Sequence, residues 1–149
     1  MPNHIIINKK IQSFKKKIRV SSDKSISIRS ILLASQAVGI SEITNLLESE
    51  DVINTLKTVK KLGINYKKKR GVYHIEGFGL NGFDIKKEII INAGNSGTLA
   101  RLILGLLVKS KFKIKLKGDK SLSRRDFSRV IKPLRLFGAN IKSNNNKLP

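Results

Sequence analysis

Cysteine and tryptophan are both absent from the 149 residues. Without thiols there is no disulfide framework, no thiolate metal site and no cysteine nucleophile. The two histidines, His4 and His74, stand isolated, which leaves a zinc centre without ligands, and no metal is expected. No apolar run approaches the roughly 20 residues of a membrane span. The opening Met-Pro-Asn-His-Ile-Ile-Ile lacks the charged, apolar, small-residue order of a secretory leader. Acidic residues are scarce: 10 Asp and Glu stand against 31 Lys and Arg, a formal net charge of +21. What remains is a chain of one ordinary domain's length whose apolar share suffices for a core.

The lysines come in short runs, Lys15 to Lys17, Lys60-Lys61 and Lys67 to Arg70. Such an excess suits two kinds of partner, a nucleic acid or small anionic substrates. It also suits neither, because charge runs are usually solvated faces. Lys111, Lys113, Lys115 and Lys117 alternate with Phe112, Ile114 and Leu116, the pattern of a half-buried strand with a lysine outer face. Aromatics are few and none sits among the lysines as a base-stacking platform requires. No nucleic-acid partner is therefore expected, and a standalone basic nucleic-acid-binding module stands as the competing reading.

The chain is organised around Asn92-Ala-Gly-Asn-Ser-Gly-Thr-Leu-Ala-Arg101. This loop follows an apolar strand, Ile89 to Ile91, and opens into a helix expected from Thr98 to about Val108. Gly94 and Gly97 let the backbone turn and approach a ligand closely. The first N–H groups of the helix lack intrahelical partners and, with the helix dipole, favour an anion. Thr98, Arg101 and Gly105 share one helix face, with Leu99, Leu102, Ile103 and Leu106 on the other. A plain strand-to-helix turn, in which glycine serves geometry alone, accounts for the same residues.

From the start, Ile5 to Val20 reads as two short strands around a basic turn. Ser21-Ser-Asp-Lys-Ser-Ile-Ser-Ile-Arg29 then leads into a helix to about Ala37, with Gly39 as its C-cap. Ser25 and Arg29 share a face, Ile28, Ile31 and Leu32 take the core side, and Lys24 and Ser25 lie at the helix start where a phosphate is favoured. Asp23 and Ser25 also serve as ordinary N-caps. A strand over Ser41–Asn45 precedes a helix capped by Ser49, with Glu50 and Asp51 in its first turn, Val52, Leu56 and Val59 on its core face, and Gly63 at its end. Ile64–Lys68 and Val72–Glu76 form a hairpin around Arg70-Gly71, with His74 as a plain strand residue. Beyond the lysine-striped strand come Ser121 to Arg125 and a second amphipathic helix. Its stripe is Phe127, Val130, Ile131 and Leu134, it runs through Pro133, and Gly138 ends it. A further strand is expected over Asn140–Lys142. The order repeats as βαβαββ with a period of roughly 70–75 residues, and the second copy stops inside a unit, which suggests truncation.

Three motifs in this order resemble the enolpyruvyl transferases, and within them the 3-phosphoshikimate 1-carboxyvinyltransferase (EPSP synthase) family. They are Asp23-Lys-Ser-Ile-Ser-Ile-Arg29, Asn92 to Arg101, and Gly118-Asp-Lys-Ser-Leu-Ser-Arg-Arg125, the last continuing through Arg129 to Arg135 and Phe137-Gly-Ala139. Thr44-Asn-Leu-Leu-Glu-Ser-Glu-Asp51 is similar as well. The resemblance spans nearly the whole chain and only the N-terminal part of the family's length. It implies an α/β (α+β) fold of repeated βαβαββ units, part of a two-lobed inside-out α/β barrel. Residues 1–20 would cross from the other lobe, and residues 21–149 would form about two truncated units of one lobe. It also implies transfer of the enolpyruvyl group of phosphoenolpyruvate to the 5-hydroxyl of shikimate 3-phosphate, with no cofactor, in a cytoplasmic enzyme that is a monomer at full length.

By the same resemblance, Lys24 contacts both substrates, Ser25 and Arg29 hold shikimate 3-phosphate, and Gly97 and Arg125 serve phosphoenolpyruvate. Lys24, Asp51 and Asn95 form the catalytic group, with Thr98 and Arg101 in support. The family's acid and base carboxylates lie outside this chain, which is expected to be inactive alone. Ser21-Ser22, Ile28 and Asp126 depart from the family pattern. Asp126 either competes for Arg125 or starts the following helix. The sister family acting on UDP-N-acetylglucosamine has Lys-Asn where Lys24-Ser25 stands and a reactive cysteine loop, and this chain has neither.

Overall fold

The computed structural model describes residues 20–80 and 82–148, together with 6, 8–10, 13, 15, 17 and 18. The strands expected over Ile5–Val20 lie for the most part outside the described residues. From there the chain runs α1 (Lys24–Gln36), β1 (Val38–Ile43), α2 (Glu50–Lys61), β2 (Asn65–Lys69), β3 (Val72–Phe78), β4 (Ile89–Asn92), α3 (Gly97–Leu107), β5 (Ile114–Lys117), α4 (Lys120–Ser123) and α5 (Ser128–Leu136). The order is αβαββ followed by βαβαα, the expected alternation with the short α4 added.

Asp23 starts α1 by accepting the Ile26 amide at 2.7 Å, and the helix buries Ile28, Ile31 and Leu32 as its spacing requires. Its end differs from expectation. Gly39 is not the C-cap. The helix stops at Gln36 with Ala37 extended as the cap, and Gly39, at φ +87, lies within β1. That strand begins earlier than expected and ends before Asn45, whose φ of +56 leaves the extended region.

The first unit closes as an antiparallel sheet in the order β1-β3-β2. One face of β3, Tyr73 and Ile75, is buried beneath α1, while α2 packs against α1 and β2. Gly77 continues that face where the end of α1 crosses it. A Cβ there would lie 2.3 Å from the Ala34 carbonyl oxygen and 2.4 Å from that of Ala37, so only glycine allows the approach. In α2 the expected Val52, Leu56 and Val59 are all buried. Ser49 occupies the N-cap position, but its hydroxyl is buried and makes no capping bond.

In the second unit β4 and β5 pair in parallel, Ile91 opposite Leu116, with α3 as the crossover. Leu116 is buried while Lys113, Lys115 and Lys117 are exposed, so the lysine stripe is a solvated strand face. The α3 crossover buries Leu99, Ala100 and Ile103. Leu102 was expected among them and is instead 40% exposed. The helix packs against both α1 and α5, which turns the small Ala100 inward and Leu102 out. Phe127 and Ile131 anchor α5, which continues through Pro133. The strand expected over Asn140–Lys142 does not form. The Arg135 guanidinium occupies the Ile141 carbonyl at 2.7 and 3.0 Å, and among the described residues only an isolated bridge, Asn144 with Lys147, follows.

Candidate active site

Two helix starts, one from each unit, form the site. At the first, Lys24 opens α1 and its Nζ pairs with Asp51 Oδ2 at 2.8 Å. Asp51 lies in the first turn of α2, where the helix dipole favours a carboxylate. The pair is asymmetric: the Lys24 side chain is 51% exposed and that of Asp51 12%. The ammonium is thus anchored yet open to solvent. Arg29 is exposed one turn further along α1. Between them, Ser27 donates to the Asp23 carbonyl and accepts the Leu47 amide at 3.0 Å. This bond ties the start of α1 to the loop that leads to Asp51.

At the second, Ser96 caps α3 by accepting the Leu99 amide at 3.2 Å, and Gly97 is the first helical residue. A Cβ on Gly97 would lie 2.7 Å from Arg101 Nη1 and 3.1 Å from Arg125 Nη1. Two guanidiniums therefore converge on one backbone position with unsatisfied N–H groups. Arg101 is held by the Phe127 ring, 5.1 Å from its centroid, and by the Asp126 carbonyl at 3.4 Å. Arg125 donates through Nη2 to Asn95 Oδ1 at 3.2 Å. Among the described residues neither arginine is ion-paired. Like charges at this separation repel, and an anion placed between them relieves the repulsion.

The Asp126 carboxylate does not compete for Arg125. It accepts from the Ser128 amide at 2.9 Å and from the Ser128 hydroxyl. Those bonds, with Lys132 and Arg129 nearby, hold it below the usual aspartate range. Asp126 is a helix-start residue. Ser25 Oγ and Thr98 Oγ1, 3.4 Å apart, join the two halves of the site. The structure thus brings Lys24 with Asp51, Ser25 with Thr98, and Gly97 with Asn95, Arg101 and Arg125, while Arg29 makes no side-chain bond among the described residues.

Two residues outside the expected set shape the loop. Asp119 accepts from Asn95 Nδ2 at 2.7 Å and caps α4. Asn54, on α2, fills the space beside Gly94, where a Cβ would come within 2.7 Å of its Nδ2. The spacing of Asp119 before Leu122 is a capping signal readable in sequence. The Asn54 approach has none.

Repeated α/β units whose helix starts are joined through Ser25 and Thr98 define an enolpyruvyl transferase fold. The family model for EPSP synthase (3-phosphoshikimate 1-carboxyvinyltransferase) matches residues 8–149. The 3-phosphoshikimate 1-carboxyvinyltransferase of Ruthia magnifica is 47% identical over 133 residues, covering 89% of this chain and 30% of the relative. That of Persephonella marina is 46% identical over 132 residues, again 89% and 30%. An EPSP synthase from Acinetobacter baumannii superposes with a TM-score of 0.79 at 38% identity, covering 92% of this chain and 31% of that one. The chain belongs to the EPSP synthase family, and it spans about 30% of the length of these curated relatives. Among the described residues no helix is long and apolar enough to cross a membrane.

Proposed function

We propose that this chain forms one wall of a site that transfers the enolpyruvyl group of phosphoenolpyruvate to the 5-hydroxyl of shikimate 3-phosphate. Residues 21–149 make up about two units of one lobe, and the full-length enzyme is a cytoplasmic monomer; the crossing expected of residues 1–20 lies for the most part outside the described residues. The convergence of Arg101 and Arg125 over Gly97, joined to the Lys24 helix start through Ser25 and Thr98, carries this reading. Both substrates bear phosphate and carboxylate groups, and guanidinium forks and helix N-termini suit such anions.

In this reading Lys24, Ser25 and Arg29 hold shikimate 3-phosphate. Gly97, Arg125 and Lys24 hold phosphoenolpyruvate, with Thr98 and Arg101 in support. Asp51 fixes the Lys24 ammonium between the two anions, and Asn95 lines the same pocket. The substrate hydroxyl gives its proton to a base as its oxygen bonds to C2 of phosphoenolpyruvate, while C3 gains a proton from an acid. The tetrahedral intermediate then loses phosphate from C2 and a proton from C3, restoring the C2–C3 double bond. Lys24 and Arg125 stabilise the charge on the transferring groups. The acid and base that move the protons lie outside this chain, so the chain alone binds without turning over.

Titration of the chain with shikimate 3-phosphate at physiological salt tests the proposal. Saturable binding that is lost in Arg29→Ala supports it. Steeply salt-dependent uptake of RNA without shikimate 3-phosphate binding would replace it with the nucleic-acid reading.

A further inference from the structure

Asp119 makes three bonds, two of which bring two loops together while the third caps α4. Its backbone amide donates to the Gly94 carbonyl at 2.8 Å. Carboxylate oxygen Oδ1 accepts from the Leu122 amide at 2.7 Å, and Oδ2 accepts from Asn95 Nδ2 at 2.7 Å. An ionised carboxylate only accepts hydrogen bonds, so the Asn95 amide must turn its NH2 toward Asp119. Its oxygen is then left facing Arg125, whose Nη2 donates to it at 3.2 Å. The chain of contacts therefore has one direction, from carboxylate through neutral amide to guanidinium.

The spacer matters. A carboxylate paired directly with Arg125 would neutralise the charge that an anionic ligand needs. Among the described residues Asp119 makes no ion pair at all. Arg125 is held through one nitrogen while Nη1 remains beside Gly97, 3.1 Å from where a Cβ would stand.

We propose that Asp119 is a positioning residue for the phosphoenolpyruvate subsite: it fixes the orientation of the Asn95 amide and so holds the Arg125 guanidinium over Gly97 with its charge unspent. The ligand named rests on the function proposed above, whereas the orienting contact does not. The bonds from Leu122 and Asn95 also hold the Asp119 carboxyl below the usual aspartate range, which keeps it an acceptor through neutral and mildly acid pH.

The test is Asp119→Ser. Serine caps a helix about as well as aspartate, so α4 and the fold are retained, but its single short hydroxyl cannot both cap Leu122 and reach Asn95. Two readouts are taken on the full chain. The first is the NMR signals of the Asn95 side-chain NH2 and the Arg125 Nε–H. The second is the affinity for phosphoenolpyruvate, with shikimate 3-phosphate as an internal control. Movement of both NMR signals at an unchanged melting temperature, with a fivefold or greater loss for phosphoenolpyruvate and little change for shikimate 3-phosphate, supports the inference. NMR signals that match the parent overturn it. Should the parent chain bind no phosphoenolpyruvate while the Asn95 and Arg125 signals still move, the ligand assignment fails and the orienting role of Asp119 stands. A loss of both ligands together overturns the specific role in favour of a general structural one.

Discussion

Replacing Gly97 with alanine should separate stability from anion binding. The new methyl would lie 2.7 Å from Arg101 Nη1 and 3.1 Å from Arg125 Nη1, against ordinary contacts of 3.4 Å or more. Both neighbours are the ends of flexible side chains, so the Arg101 guanidinium can retreat by about 0.7 Å and that of Arg125 by about 0.3 Å without moving backbone. That retreat costs little, and it is offset by alanine's helix preference over glycine, up to about 1 kcal/mol, and by the reduced freedom of the unfolded chain. The net change in stability should stay within about 1 kcal/mol, a melting shift of no more than a few degrees. Binding responds differently. A charge-assisted hydrogen bond to phosphate is worth about 1.5–3 kcal/mol and depends on an N···O distance near 2.8 Å. Losing one such bond weakens phosphoenolpyruvate by roughly tenfold to a hundredfold. The same crowding would weaken an inhibitor that competes for this position in the complete enzyme. Calorimetric melting and ligand titration on the same preparations provide the check. An unchanged phosphoenolpyruvate affinity, or a melting point lowered by more than about ten degrees, would refute the reasoning.

Gly77→Ala should behave in the opposite way. Its methyl meets backbone carbonyls of Ala34 and Ala37 at 2.3 and 2.4 Å, so α1 or β3 must move, at a cost of about 1–3 kcal/mol; a melting temperature equal to the parent's would contradict this. Lys24→Met breaks an ion pair that is half open to solvent, so stability should change by less than about 1 kcal/mol. Shikimate 3-phosphate binding should nonetheless fall at least tenfold by titration, and retained affinity would remove Lys24 from the site. Acid pH should destabilise the fold through carboxylates held below their usual range. Glu48 is bonded to Lys68 and Tyr73, Asp119 to Leu122 and Asn95, and Asp126 to Ser128. Their folded values are depressed, so their contribution is complete above the ordinary carboxylate range and is lost as pH falls through the depressed values. Lys68 is raised by Glu48, and its share is complete below the ordinary lysine range and lost as pH rises beyond it. Denaturant melts of Glu48→Gln should therefore flatten both the acid and the alkaline limbs, and an unaltered pH profile would count against the Glu48–Lys68 contact.

Much of the frame was legible because local rules and tertiary packing agree. The stripe of Ile28, Ile31 and Leu32 and that of Val52, Leu56 and Val59 have the helical period, and both are buried. Asp23 is the cap its position suggests. Arg70-Gly71 turns the hairpin, and alternating lysines mark the outer face of β5. Where local chemistry was outweighed, expectation and structure part. Gly39 has the look of a helix stop but serves a left-handed position inside β1. Leu102 belongs to the apolar set of α3, yet packing between α1 and α5 turns Ala100 inward instead. Ile141 has strand character, but Arg135 takes its carbonyl.

The sequence by itself determined the alternation of elements from α1 to α5, the family, and which cations stand at helix starts, because these depend on spacing along one chain. Only the tertiary structure decided that Arg101 and Arg125, 24 positions apart, share the space above Gly97. It alone decided that Lys24 finds Asp51, that Ser25 meets Thr98, and that Asp126 turns away from the site while Asp119 turns toward it. Those pairings depend on how α1, α2, α3 and the segment after β5 pack against one another, and no local periodicity encodes a distance between separate elements.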